Sequence, residues 1–249
     1  MKKKRLINRR KAIVTGLTSL GGLLLSGCLK KATLPPTYGN ILRMGDAFTY
    51  FAQRALLPGQ SLVREYHKSD ISSFPATGTT NPADPNSPYC SKVYEELQKG
   101  DFKNWSLSVE GSVKRPASYS LADLKKLSSR TQITKHTCEE GWSAIGEWTG
   151  VPLSVILNNA GILPGARFVN FYGYDGYVDS IDMLDALHPQ TILAYGMNGE
   201  NLPVAHGAPL RVRVETQIGY KSVKYLQCIS VTDKFVDPGD TGWSWYVGI

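Results

Sequence analysis

The sequence predicts a mixed α+β fold, mostly β, with a single main domain, and three observations carry that expectation. Short runs that alternate apolar and polar residues recur between turn residues from Trp105 onward. Helical spacing appears only in brief stretches, without the regular strand–helix–strand rhythm of a doubly wound sheet. No internal repeat is visible, and 249 residues suffice for one large domain or two small ones with a well-buried core.

Taken in order, Asp46 to Leu57 carries helix-like apolar spacing, and Phe74 to Pro82, rich in Pro, Gly and Thr, reads as loop. Val93 to Leu97 predicts a short helix. Trp105-Ser106-Leu107-Ser108-Val109 alternates as a half-buried strand does. Gly111 and Pro116 mark turns, and Ser120 is an N-cap for a helix through Leu124. Gln132 to Thr137 predicts a strand running straight into Cys138. Val151-Pro152-Leu153 opens a helix to Ala160, with Gly161 as its stop. Arg167 to Tyr172 predicts a strand, Ser180 to Leu187 a helix, and Leu210 to Glu215 and Ser222 to Thr232 two further strands.

The first residues read as an address. Lys2, Lys3, Lys4, Arg5, Arg9, Arg10 and Lys11 form a basic head without an acid, followed by an apolar run from Ala12 to Leu25. These are parts of a secretory signal. The run falls short of the roughly 18 residues a spanning helix requires. Its ending, Leu25-Ser26-Gly27-Cys28, resembles a bacterial lipobox, in which Cys28 carries the lipid, and Arg9-Arg10 resemble a twin-arginine signal. The chain thus divides into a signal at 1–27, a tether at 28–45 and a folded body at 46–249. A lipidated cysteine would hold the body to a membrane surface without spanning it.

The address also accounts for the charge. The chain has 28 basic and 21 acidic residues, a formal +7, and seven of the basic residues lie in the signal. The remainder balances, so nucleic acid is not expected as a partner.

Four cysteines stand at 28, 90, 138 and 228, which is no small disulfide scaffold. Cys228, in an alternating apolar run, reads as a small buried hydrophobe. Cys90 lies in a Pro- and Asn-rich loop and is either free or paired. Cys138 ends a strand and enters a polar, aromatic loop, where a thiolate favoured by cations such as Lys135 and His136 would suit a metal. A buried structural cysteine is the competing reading.

Two blocks narrow the choice. One is His136-Thr137-Cys138-Glu139-Glu140-Gly141-Trp142-Ser143, followed by Trp148-Thr149-Gly150-Val151-Pro152-Leu153. The other is Leu202-Pro203-Val204-Ala205-His206-Gly207-Ala208-Pro209-Leu210-Arg211, continuing through Gly219-Tyr220-Lys221-Ser222-Val223-Lys224. Together they resemble the sulfite-oxidase-like molybdopterin-dependent oxidoreductases, and among them the exported methionine sulfoxide reductases, over residues 105–232. The resemblance implies a sulfite-oxidase-like molybdopterin-binding fold and a molybdenum–molybdopterin cofactor. It makes Cys138 the ligand to molybdenum and His206, Arg211, Ser222, Val223 and Lys224 contacts to the pterin and its phosphate. Arginine's planar fork and lysine's point charge suit that phosphate. Ser72, Phe74 and Thr77 are candidates for the pterin's other flank. The sequence departs from these reductases at His206, where they have an amide, and near Gly173, where they have a hydroxyl.

The implied activity is oxygen-atom transfer on a small sulfur- or nitrogen-oxo compound, in the direction of sulfoxide reduction or sulfite oxidation. Glu140 and His136 are candidate proton handlers beside the metal. No Cys-x-x-Cys-His stretch is present, so electrons would pass to or from an external carrier, such as a membrane haem protein or a quinone-linked one. The implied location is the periplasmic or other extracytoplasmic face of a bacterial membrane, reached by the lipid anchor. The alternative is a surface lipoprotein that keeps the fold as a binding module without a working metal centre.

Overall fold

The computed structural model describes Phe48, Phe51, Ala52, Leu56 and residues 61–235. The signal, the tether and Cys28 lie outside the described residues. Phe48, Phe51, Ala52 and Leu56 are helical, as their spacing predicts. Among the described residues no helix is long and apolar enough to cross a membrane.

Among the described residues two five-stranded sheets organise the body, which is mostly β with few helices, as expected. The first runs β2 (Ala117–Ser120), β1 (Ser106–Gly111), β10 (Leu226–Thr232), β5 (Phe168–Gly173), β6 (Val178–Asp182). Its β1–β10 pair is parallel, and the other pairs are antiparallel. The second runs β3 (Arg130–Thr137), β4 (Ser143–Pro152), β7 (Ile192–Met197), β8 (Glu200–Asn201), with β9 (Arg211–Arg213) also on β7.

Both sheets and three helices contribute to a common core, Leu124 and Ala186 coming from the short helices Leu121–Lys126 and Met183–Ala186. β1 buries Leu107 and Val109, β5 buries Val169 and Phe171, and β10 buries Ile229 and Val231. Val151, Leu193 and Val212 reach the same cluster from the second sheet. The helix Leu153–Ala160 buries Leu153, Ile156, Leu157 and Ala160, the spacing of one helical face. Each large side chain buried this way stabilises the fold by roughly 1.5–3 kcal/mol. Gly161 ends that helix in the left-handed region at φ 71°.

Local signals predict local structure well. Ser120 caps the helix Leu121–Lys126 in a capping box with Asp123. The predicted short helix extends over Lys92–Lys99, capped by Ser91.

Three expectations are corrected. Ser180 to Leu187 is not one helix: β6 runs to Asp182 and only Met183–Ala186 is helical. Buried Asp179 and Ser180 disguise β6, because burial of most of its residues erases the alternation. The strand expected over Ser222 to Thr232 begins only at Leu226, since Tyr225 at φ 55° breaks it. The strand expected over Leu210 to Glu215 is reduced to Arg211–Arg213.

Candidate active site

The second sheet delivers Cys138 through a tight turn. β3 ends at Thr137, paired with Ser143 on β4. The Cys138 amide donates to Trp142 O at 2.9 Å and the Gly141 amide to Cys138 O at 3.1 Å. Residues 139–141 therefore close a three-residue hairpin loop whose last member is left-handed. That member is Gly141 at φ 91°, with open space where a side chain would go, so the backbone angle sets the requirement. Cys138 is buried and lines a cleft of about 140 Å³. That is room for on the order of ten waters, too much for a packing defect.

Burial pushes the Cys138 thiol up, and the carboxylates of Glu139 and Glu140 add to the shift. The Glu140 amide and the Thr77 side chain pull the other way. The expected help from nearby cations is absent. Lys135 is exposed, whereas His136 is buried and held uncharged. Its pKa is pushed down to about 2 by burial and by Arg213 and Arg211. Nδ1 of His136 stands 2.7 Å from Arg213 Nη1 and accepts from it, so the remaining ring proton sits on Nε2. No cation of the protein is among the groups that shift the Cys138 thiol, and a metal bound there would favour its thiolate.

The rest of the wall is cationic. Arg211, on β9, donates to His206 O at 3.0 Å and Ser222 O at 2.8 Å, while its buried Nε has no partner. Burial and Arg213 push Arg211 down to about 9, still cationic at neutral pH. Lys224 donates to the carbonyls of Thr77, Thr79 and Ala205. Burial and Arg211 lower it to about 8. Burial, with Arg211 and Lys224, pushes His206 down to about 4. Beneath them lies the fully buried Trp148 ring, 5.3 Å from the Arg211 guanidinium and 4.5 Å from that of Arg213. An anionic group fits this wall: it would meet two cations and satisfy an orphaned N–H.

Most of the residues singled out from sequence meet here. Phe74, Thr77, His136, Cys138, Glu140, His206, Arg211, Ser222, Val223 and Lys224 all line the cleft. Phe74 stacks edge-on against Trp142, Trp148 and His206. Ser72 does not line it. Its hydroxyl accepts from the Ile145 amide at 3.0 Å and pins the loop to β4. Glu140 is exposed and accepts from Trp142 Nε1 at 3.0 Å.

Sequence reasoning missed the contribution of the β5–β6 hairpin. Asp175 and Tyr177 line the cleft, and Asp175 Oδ1 lies 2.5 Å from where a Gly173 side chain would begin. The carboxylate therefore fills the space that a hydroxyl residue at 173 would use. The Asp175-Gly176 pair, a hairpin signal, was the available clue. Gly219 is also required. A methyl group there would stand 2.6 Å from His136 Nε2, so only glycine lets the turn abut β3. Cys90, Cys138 and Cys228 are free.

Comparison with known proteins agrees with the geometry. Residues 94–238 match the family described as oxidoreductase molybdopterin binding domain. The chain is 35% identical to YedZ1 of Azospira oryzae, provisionally named a protein-methionine-sulfoxide reductase subunit, over 96% of this chain and 87% of that protein. It is 34% identical to the protein-methionine-sulfoxide reductase catalytic subunit MsrP of Xanthomonas campestris, over 89% of this chain and 68% of that protein. Among solved structures, the sulfane dehydrogenase SoxCD of Paracoccus pantotrophus superposes with a TM-score of 0.52 at 26% identity. That match covers 54% of this chain and 40% of SoxCD. By sequence and by fold the chain belongs to the molybdopterin-binding oxidoreductases.

Proposed function

We propose that the protein is an exported, lipid-anchored reductase that removes the oxygen atom from a sulfoxide, the preferred case among small sulfur- and nitrogen-oxo compounds. The observation that carries this reading is the pairing, in one cleft, of buried Cys138 with Arg211, whose Nε lacks a partner. When bound, the cofactor supplies a metal that exchanges an oxygen atom and two electrons with the substrate. Cys138 holds that metal. Arg211, Lys224 and Ser222, with His206, Val223, Phe74 and Thr77, hold the anionic pterin portion.

The other residues set the surroundings. His136 is kept neutral and offers an Nε2 hydrogen-bond donor rather than a titrating proton. Phe74 and Trp148 close the floor to water. Reducing a sulfoxide to a thioether and water consumes two electrons and two protons. Glu140, exposed beside Cys138, would pass those protons from solvent, a role that its exposure and its position in the cleft lining support. The electrons come from an external carrier. The names of the relatives support the sulfoxide direction. The Leu-Ser-Gly-Cys28 ending supports the anchor on the outer face of a membrane.

The test is molybdenum analysis of protein made in a host that supplies the cofactor. Near-stoichiometric metal in wild type, lost in Cys138→Ser, is expected, with sulfoxide reduction driven by an artificial electron donor. A metal-free wild type overturns the enzyme and favours a binding module. In the same cells, Cys28→Ala moves the protein out of the membrane fraction; a variant that stays there rejects the lipid anchor.

A further inference from the structure

Lys221 stands in the run Gly219-Tyr220-Lys221-Ser222-Val223-Lys224, and the other five residues line the cleft. Lys221 turns away from it. Its side chain is 1% exposed, and the ammonium donates to Asp179 Oδ1 and to Ser180 O on β6, both at 2.8 Å. It also lies 5.3 Å from the Tyr220 ring centroid and 5.4 Å from that of Phe235. Asp179 is fully buried and accepts from the Ser180 amide. One strand position earlier on that face, Tyr177 donates its hydroxyl to Tyr220 O at 3.1 Å. β6 and the hairpin before it therefore grip the Gly219–Lys221 turn at two points, through a backbone carbonyl and through a buried ion pair.

The position of this turn matters to everything downstream. Gly219 abuts His136 with no room for a methyl group. Ser222 O receives Arg211 Nη2, and Ser222 Oγ accepts from the Val214 amide at 3.3 Å. A small shift of the turn would move the Arg211 partner and the start of the Ser222–Lys224 wall together. A buried ion pair is a poor source of stability, because desolvation roughly cancels the attraction. What it supplies is a single, directional register.

We infer that Lys221 and Asp179 form a positioning clamp that fixes the Gly219–Val223 turn against β9, so that Arg211, Ser222 and Lys224 are held ready for the anionic end of the cofactor. The inference rests on the cofactor-site reading above and goes beyond it, because it assigns a role to two residues that face away from the cleft.

The test compares wild type with Lys221→Met/Asp179→Asn, which removes both charges together so that neither is left without its counterion, and with Lys221→Arg, which keeps the pair. The double variant is expected to lose molybdenum on dialysis at least tenfold faster than wild type. Its cofactor-free form should melt within a few degrees of cofactor-free wild type, and Lys221→Arg should restore retention. Amide hydrogen exchange on the cofactor-free chains gives a second readout: protection falls at residues 219–223 and stays unchanged in β5 and β10. Wild-type retention in the double variant, or unchanged exchange in the turn, overturns the clamp. Should the double variant fail to fold, Lys221→Gln, which removes the charge and keeps a hydrogen-bond donor for Asp179 and Ser180 O, is expected to shift both readouts the same way by less; no shift overturns the clamp. A wild type without molybdenum would sink the enzyme reading instead, and the exchange measurement would still decide the clamp.

Discussion

Arg213 and Lys221 lie behind the cleft wall, and each has a carboxylate of its own, Glu215 and Asp179, at 2.8 Å. Arg211 and Lys224, a few residues away on the same two segments, line the cleft and lean on carbonyl oxygens instead. All four side chains are wholly or largely buried, yet the charges behind the wall are matched in full and those at its face are not. A carbonyl offers a partial charge where a carboxylate offers a whole one. The difference teaches what each pair is for. The matched cations hold segments in register, while the under-matched ones keep a positive site available for an anion.

The sharpest way to break this comparison is to unbalance the matched side. Glu215 accepts from Arg213 through both oxygens, at 3.0 and 2.8 Å, and also receives Gln132 Nε2 at 3.2 Å. Glu215→Gln leaves the Arg213 charge buried without its counterion, and about 3 kcal/mol of folding stability is expected to go with it. Urea denaturation of the cofactor-free protein measures this. A loss under about 1 kcal/mol would mean that Arg213 needs no matching charge.

The complementary change is Arg211→Met, which keeps the stem and removes the charge at the cleft face. Hydrogen bonds to charged groups contribute about 1.5–3 kcal/mol each, so cofactor retention should fall by roughly ten- to a hundredfold or more. Folding should suffer less than in Glu215→Gln, because the loss strands only the His206 and Ser222 carbonyls and relieves the repulsion with Arg213. Molybdenum content and a urea midpoint, measured side by side, check both halves. A midpoint that drops as far as in Glu215→Gln would make Arg211 a structural cation.

The sequence announces these cations more clearly than it divides them. Cys138, His206, Arg211 and the Ser222–Lys224 stretch were legible because they sit in contiguous blocks of distinctive composition. Nothing in Gly219-Tyr220-Lys221-Ser222-Val223-Lys224 says that Lys221 points away from the cleft while Lys224 lines it. That depends on β6, most of which the sequence reads as the start of a helix at Ser180. Asp175 and Tyr177 were missed for the same reason, since they reach the site only once β5 and β6 pair. The fold shows the same division. Ser120 and Gly161 were readable because a cap is a local event, and β1 because one face is buried. β7 is buried on both faces and presents no alternation, while the end of β4, buried around Trp148 to Val151, reads in the sequence as the opening of the following helix.

The smallest expected effect comes from titrating the under-matched side. Lys224 is held near 8 by burial and Arg211, with Asp175 acting in the opposite direction, while burial keeps neighbouring Tyr225 protonated far above that range. Sulfate keeps its charge across this window and serves as the probe for the cofactor-free protein. The fraction of charged Lys224 falls from about nine-tenths at pH 7 to about one-half at pH 8, below the range near 9 in which Arg211 loses charge, so sulfate affinity should weaken by roughly twofold over that step. Stability moves the other way. The unfolded chain holds the lysine proton up to its ordinary value near 10.5, so between about 8 and 10.5 unfolding takes up a proton and this contribution rises with pH. Lys224→Gln should flatten the pH dependence of sulfate binding. If it persists unchanged in that variant, Lys224 is not the group that the cleft keeps charged for its anion.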